Sequence, residues 1–244
     1  MKMHSRDSWF VVVALLLISH SVLLAETADS SFQRGNARYA AADYPGAAAA
    51  YEEAAHAGAW SPNLFYNLGN ARFREGDFGR AILNYRRTIA LERDHLEANA
   101  NLRLARARTQ ALEFKLSPSL HYLGLVSSNA YTVAAAILCW AGLLLLLWRR
   151  QGLACFLGGL FITLAIGCAL ATFLLERAAT GEAVILAKDV EARVATTDTA
   201  RSLLALPPGS EIRILQQRGD WCYAELPDSQ RGWIDSKAAE LIRL

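Results

Sequence analysis

The sequence predicts a multidomain membrane protein with an all-α helical-repeat array, a two-helix transmembrane hairpin and a small all-β barrel. Three observations predict this fold class: a motif that recurs at a fixed offset, two charge-free apolar runs separated by three residues, and a C-terminal region of short alternating runs. The 244 residues carry a formal net charge of +2, so the charge balance gives no reason to expect a nucleic-acid partner.

The first 25 residues are typical of an export signal. Lys2 and Arg6 precede the apolar run 9–24, and Ala25 separates that run from a polar stretch. We therefore expect residues 1–25 to form a signal peptide and the following residues to be exported. Leu23 is bulky for a position two residues before a cleavage point, so cleavage and retention as an uncleaved anchor both stay open.

A motif of two helices follows the export signal. At an offset of 34 residues, the identical pairs are Gly35 and Gly69, Asn36 and Asn70, Ala37 and Ala71, Arg38 and Arg72, Asp43 and Asp77, Ala47 and Ala81, and Tyr51 and Tyr85. Apolar residues recur at helical spacing in the second copy, and Gly76-Asp77 breaks the helix between its two halves. A single unit cannot bury its apolar face alone, so neighbouring copies are expected to stack.

The stretch 65–85 resembles the tetratricopeptide repeat. This resemblance implies an all-α solenoid domain over residues 28–116, with repeats at about 28–61 and 62–95 and a cap helix at 96–113. The sequence departs from the family pattern at Arg72, where an aromatic residue is usual, and at Arg93, where proline is usual.

Proteins of this family bind peptides in a concave groove. The groove residues that the resemblance implies here are Asn36, Asn67, Asn70 and Asn101. Phe32 stands where the members that clamp a carboxylate carry a lysine. Asparagine at these positions also belongs to the ordinary repeat consensus, so a ligand-binding role and a purely structural role both stay open.

Two runs without charged residues, 130–148 and 152–175, follow a linker at 117–129 and predict a transmembrane hairpin. A helix of nineteen residues is about 28 Å long, which is close to the hydrocarbon thickness of a bilayer. The loop 149–151 between the runs carries Arg149 and Arg150, and short loops rich in Lys or Arg stay in the cytoplasm. This orientation agrees with the export signal, and it places both ends of the mature chain outside the cytoplasm.

The second run carries a small residue at every fourth position. The series is Cys155, Gly159, Thr163, Gly167 and Ala171. Such a ridge lets another helix approach closely. Two interpretations stay open: the ridge packs against the first helix of the same hairpin, or it contacts another membrane protein.

Residues 178–244 predict a small all-β domain. The expected strands are Ala183–Ala187, Val190–Val194, Glu211–Gln216, Trp221–Leu226 and Gly232–Ile234. The pieces Gly219-Asp-Trp221 and Gly232-Trp-Ile234 resemble the bacterial SH3-like domain, whose members often bind cell-wall peptides. The usual Arg-x-Gly-Pro motif of that family is replaced by Arg193-Val-Ala-Thr. Trp221 and Trp233 fit a core role as well as a ligand platform.

We expect no enzymatic activity, no cofactor and no metal site. The five histidines show no metal-ligand spacing, the four cysteines form no CxxC pair, and the sequence has neither a phosphate-binding glycine loop nor a nucleophile elbow.

The order of the parts is similar to that of the BatE proteins of bacterial aerotolerance operons. The similarity implies a two-pass inner-membrane protein that acts with von Willebrand factor A-type membrane proteins and a MoxR-type ATPase in oxygen tolerance or envelope stress. Two alternative functions are therefore open. One is an adaptor that holds partner proteins at the lipid bilayer, and the other is a sensor that binds peptidoglycan through the SH3-like domain.

Overall fold

The structure is a computed structural model that describes residues 29–114, 118–148 and 152–243. The chain divides into two compact units. The first joins the described residues up to Glu113 with those from Ala183 onward, and the second is Phe114–Glu182. The predicted signal peptide at 1–25 and the predicted cytoplasmic arginines, Arg149 and Arg150, lie outside the described residues.

Five helices form the repeat array. They are α1 (29–40), α2 (Tyr44–His56), α3 (Pro62–Glu75), α4 (Phe78–Leu91) and α5 (Leu96–Thr109). Asp43, Ser61 and Asp77 cap α2, α3 and α4, because each side chain accepts a hydrogen bond from a backbone N–H of the first turn. Gly76 ends α3 at φ 83°, a left-handed conformation that glycine adopts without strain. The predicted helix–turn–helix repeats are confirmed, and α5 takes the place of the predicted cap helix.

Two glycines set the distance between the helices of each repeat. A Cβ atom at Gly35 would lie 2.5 Å from the ring of Tyr51, and one at Gly69 would lie 2.7 Å from the ring of Tyr85. Both tyrosines are buried, so the absent side chain is what allows each pair of helices to meet. At the equivalent position, 34 residues further on, α5 carries the exposed Arg103. The repeat pattern of close helix contact therefore ends at α5.

The C-terminal region forms one seven-stranded sheet. Its strands are β1 (Glu182–Ile185), β2 (Val190–Arg193), β3 (Ser202–Leu206), β4 (Glu211–Arg218), β5 (Trp221–Glu225), β6 (Arg231–Asp235) and β7 (Ala239–Leu241). The order is β3-β2-β6-β5-β4-β1-β7, and the pairs β1–β7, β2–β3, β2–β6, β4–β5 and β5–β6 are antiparallel. The five predicted strands are confirmed, while β3 and β7 were not predicted. Within residues 182–243 no neighbour relation joins the edge strands β3 and β7, so the structure supports a sheet, and its closure into the predicted barrel stays a prediction.

The second unit contains α6 (Pro118–Leu123), α7 (Ser128–Trp148) and α8 (Leu153–Ala179). By length and composition, α7 and α8 could each cross a membrane, and they pack against each other as the sequence predicts. The structured hairpin is longer than the predicted runs, since α7 begins at Ser128 and α8 continues to Ala179. The region predicted as a linker at 117–129 contains α6.

Candidate partner-binding site

The four predicted groove asparagines take part in a hydrogen-bond network that repeats with the sequence motif. Asn36 Oδ1 accepts from Tyr51 Oη at 2.8 Å and from Asn67 Nδ2 at 3.2 Å. One repeat later, Asn70 Oδ1 accepts from Tyr85 Oη at 2.8 Å and from Asn101 Nδ2 at 2.9 Å. Each network links three helices, because the first asparagine, the tyrosine and the second asparagine lie on successive helices. The asparagines therefore have a structural role whether or not they bind a ligand.

Burial keeps the two tyrosine hydroxyl groups protonated. It raises the pKa of Tyr51 to about 12, and it raises the pKa of Tyr85 further above the ordinary value of 10. A protonated hydroxyl is the donor that the asparagine oxygen needs. The two donors are thus retained near pH 10, where an ordinary tyrosine begins to ionise.

A small open cleft of about 130 Å³ lies beside the first network. Asn36, Asn67 and Asn70 line it, together with Tyr39 and the exposed Ala40, while Asn101 does not. Among the described residues, the amide atoms that the network leaves without a partner include Asn36 Nδ2, Asn67 Oδ1 and Asn70 Nδ2. The cleft therefore offers both donors and an acceptor, which match the N–H and C=O groups of an extended peptide. The repeat motif alone does not identify Tyr39 or Tyr51 as part of this site.

The sheet packs directly against the repeat array, a contact that no local sequence pattern predicts. Gly79, Leu83 and Arg87 of α4 are buried, whereas the equivalent residues of α2, Pro45, Ala49 and Glu53, are exposed. A Cβ atom at Gly79 would lie only 3.3 Å from the backbone oxygen of Leu186, which follows β1. Val184 and Ile242 also join the apolar core formed by α4 and α5. The sheet thus covers the face of α4 that remains open on α2.

Arg87 fixes one side of this contact. Its guanidinium pairs with Glu240 at 2.7 Å and also donates to the backbone oxygens of Leu241, at 2.9 Å, and Ile242, at 3.3 Å. A planar guanidinium can satisfy several acceptors at once, so one arginine anchors the last strand of the sheet to α4.

Glu211 fixes the other side. Its side chain is only 6% exposed and pairs with Arg106 of α5 and with Arg86 Nε of α4, the latter at 3.1 Å. The Glu211 N–H donates to the oxygen of Leu112 at 2.9 Å, and the Leu112 N–H donates to Ser210 Oγ at 3.1 Å. We refer to Leu112, Ser210 and Glu211 as the clasp.

The clasp also holds the strand that begins the sheet. The Ile185 N–H donates to the oxygen of Ser210 at 2.9 Å. The first compact unit is built from two stretches of the chain. Leu112 lies near the end of the stretch that ends at Glu113, and Ile185 lies near the start of the stretch that begins at Ala183. The two points where the chain leaves the unit and returns to it are therefore held by the same two residues, Ser210 and Glu211.

Aromatic residues occupy one face of the sheet. Tyr223 and Trp233 are cross-strand neighbours whose ring centroids lie 5.0 Å apart, and both are half-buried, as is Trp221. Arg193, the first residue of the stretch Arg193-Val-Ala-Thr, is the register partner of Trp233 and donates to the backbone oxygen of Ala200 at 2.9 Å. This arginine thus holds the loop between β2 and β3.

The helices of the hairpin do not meet along the predicted ridge. A Cβ atom at Gly142 of α7 would lie 2.9 Å from the backbone oxygen of Gly158, so these two glycines are the point of close approach. Nothing lies within 4 Å of the Cβ positions of Gly159 and Gly167, and Cys155 and Thr163 are exposed as well. Of the five ridge residues only Ala171 is buried. The interpretation that the ridge packs on α7 is therefore wrong for Gly159 and Gly167, because the contact face of α8 contains the neighbouring Gly158.

No protein-family model matches the sequence, and no curated protein matches it. Among solved structures, the tetratricopeptide-repeat domain of Arabidopsis OM64 is similar, with 17% identity and a TM-score of 0.33. The similarity covers 64% of this chain and 98% of that domain. At this identity and TM-score the similarity assigns no function.

Proposed function

We propose that the chain is a non-enzymatic adaptor of the bacterial inner membrane. In this proposal α7 and α8 cross the bilayer, the repeat array and the SH3-like sheet lie in the periplasm, and the cleft beside Asn36 receives an extended segment of a partner protein. The resemblance to BatE proteins suggests von Willebrand factor A-type membrane proteins and a MoxR-type ATPase system as partners, with a role in oxygen tolerance or envelope stress.

The observation that carries this proposal is the pair of amide donors and the amide acceptor in the cleft. A peptide in extended conformation presents N–H and C=O groups on both edges, and loss of water from these groups is offset only when they are hydrogen-bonded. The network around Asn36 and Asn70 orients the side-chain amides before any ligand arrives. Preorganised groups lose less entropy on binding, which favours recognition by a small site.

The packing of the sheet against α4 adds a constraint on how such an adaptor works. Because the array and the sheet form one compact unit, a partner held in the cleft has a fixed position relative to the sheet. Deletion of residues 32–113 would remove Arg87 and Arg106, which anchor the sheet, so loss of binding in that deletion would not identify the site. Single substitutions in the cleft give the sharper test.

A photoactivatable cross-linking residue at Ala40 provides that test in intact cells. Ala40 is exposed and lines the cleft, and its substitution leaves the asparagine–tyrosine network in place. Ala49, which is exposed on α2 and does not line the cleft, is the matched control. We expect mass spectrometry to identify an envelope protein attached at position 40 and absent at position 49. The same adducts at both positions, or none at position 40, would contradict the proposal.

A second candidate function is a cell-wall sensor that binds peptidoglycan through the sheet. The half-buried pair Tyr223 and Trp233 favours it, since partly exposed aromatic rings with a polar edge are common in binding surfaces. The test is retention of the full chain on purified sacculi. Tyr223→Leu keeps the apolar area but removes the ring, and Leu215→Ala at an exposed position of β4 is the control. Equal retention of both variants would exclude this surface.

A further inference from the structure

The end of α6 and the turn that follows it expose large apolar side chains. Tyr122 is 70% exposed, Leu125 is 69% exposed and Val126 is 44% exposed. No Asp, Glu, Lys or Arg occurs between residues 116 and 148, so no such charged residue separates these exposed side chains from the apolar residues of α7. Large apolar side chains that are exposed close together favour a contact with lipid or with a protein.

Hydrogen bonds hold this turn in a defined position at the start of α7. The Gly124 N–H donates to the oxygen of Leu120 at 2.9 Å, and Tyr131 Oη donates to the oxygen of Leu123 at 3.2 Å. Ser127 Oγ accepts from the Ala130 N–H at 3.2 Å and so caps the first turn of α7. In addition, α6 packs against α8. The exposed side chains therefore belong to the hairpin unit and do not sit on a loose linker.

We propose that α6 and the turn at 124–127 lie in the interfacial layer of the membrane, where they contact lipid at the level of the headgroups and the upper acyl chains. This inference rests on the proposed function, because it requires α7 to cross the bilayer. The sequence of side chains along the segment fits such a layer. Tyrosine is enriched at membrane interfaces, and Leu125 and Val126 supply apolar area. Ser127, Ser128 and Asn129 then carry polar groups before the span begins.

Lipid is the occupant that the structure favours over a protein, for two reasons. The exposed side chains precede α7 in the same compact unit with no Asp, Glu, Lys or Arg between them, and the exposed residues of α7, such as Val133 and Ile137, would face lipid. The segment is also much too short to cross the bilayer, so it remains on the side from which α7 starts. An interfacial α6 would fix the depth of the hairpin at that side of the membrane.

The test uses the full chain with its four cysteines replaced by alanine and one new cysteine that carries an environment-sensitive nitrobenzoxadiazole label. The labelled positions are Leu125→Cys in the turn, Ile137→Cys on the exposed face of α7, and Gln217→Cys at an exposed position of β4. Each labelled protein is reconstituted into vesicles of phosphatidylcholine and phosphatidylglycerol. Quenching is then measured with spin-labelled lipids and with aqueous iodide.

We expect the label at position 125 to be quenched more strongly by lipids that carry the spin label near the headgroup than by lipids that carry it at the chain end. Position 137 should show the reverse preference, and position 217 should be quenched only by iodide. Lipid quenching at 137 together with quenching at 125 by iodide alone would overturn the interfacial position and leave the hairpin intact. A label at 125 that neither quencher reaches would indicate a protein cover and would also overturn it. Absence of lipid quenching at 137 would refute the membrane hairpin itself.

Discussion

Replacement of Glu211 by glutamine should loosen the clasp that joins the sheet to the repeat array. The substitution removes the charge that pairs with Arg106 and Arg86 but keeps the size of the side chain. Removal of one partner from a fully buried ion pair costs about 3–5 kcal/mol. The side chains of Arg106 and Arg86 are 16% and 23% exposed, so water screens part of this interaction. Arg106 also keeps Glu113 as a partner. We therefore expect a loss of about 1–3 kcal/mol.

Hydrogen exchange of the full chain in detergent micelles measures this loss locally. Two amides report on the clasp: that of Leu112, which donates to Ser210 Oγ, and that of Ile185, which donates to the Ser210 oxygen. Since about 1.4 kcal/mol corresponds to a tenfold change in an equilibrium constant, both amides should exchange roughly 5- to 150-fold faster in Glu211→Gln.

The control for this experiment is Glu113→Gln, which removes the other acidic partner of Arg106. The Glu113 side chain is 54% exposed, and exposed ion pairs contribute about 0–1 kcal/mol. Its effect on the two amides should therefore be roughly fivefold at most. Unchanged exchange at both amides in Glu211→Gln, or an equal change in the two variants, would refute the argument that this carboxylate holds the array and the sheet together.

Three further predictions concern the repeat networks and the hairpin. Asn70→Ala leaves the buried Tyr85 hydroxyl without its acceptor, so it should lower the free energy of unfolding in denaturant by about 1–3 kcal/mol. The control Asn63→Ala, at an exposed position, should change the free energy of unfolding by less than about 0.5 kcal/mol. The pKa of Tyr51 is raised to about 12 in the folded protein, so its contribution to stability should be constant below pH 10 and lost between pH 10 and 12. In Tyr51→Phe the free energy of unfolding should therefore fall less steeply with pH over that range. Gly142→Leu should lower the melting temperature of the hairpin in detergent because its side chain meets the backbone of α8, while Gly159→Leu should not; equal effects would contradict the observed contact face.

The sequence predicts the repeat helices and the hairpin well because each follows from a local pattern. The 34-residue offset aligns the residues that two neighbouring helices need, and the uncharged runs leave no alternative to apolar helices of membrane length. The strands that were missed lack such a pattern. In β3, Ser202–Leu206 is apolar without alternation and ends at Pro207-Pro208, and β7 is only three residues long.

The contact between the array and the sheet could not be predicted from local patterns. Its partners, such as Arg87 with Glu240 and Arg106 with Glu211, come from stretches separated by the whole hairpin, and an arginine on a helix surface is usually solvated. One signal was present, however. At matching positions of the two repeats, α4 has Gly79 and Leu83, which are buried, where α2 has Pro45 and Ala49, which are exposed. This difference between the repeats indicates that α4 has a covered face.

The ridge on α8 shows a different limit. A small residue at every fourth position identifies a smooth face on a single helix. Gly158 lies beside that face, and a neighbouring helix can pack either along the ridge or along the side that contains Gly158. The second interpretation of the ridge, a contact with another membrane protein, stays a prediction.

Accessibility labelling of the full chain in cells tests the central claim most directly. Single cysteines are placed at Ala49 in the array, at Gln217 in the sheet and at Gln151 in the loop, where both arginines are left unchanged. Each variant is treated with a thiol reagent that cannot cross the inner membrane. We expect positions 49 and 217 to be labelled in intact spheroplasts and position 151 to be labelled only after lysis. Protection of position 49 or 217 in intact spheroplasts, or recovery of the protein without detergent, would contradict a membrane hairpin with both folded parts on the periplasmic side.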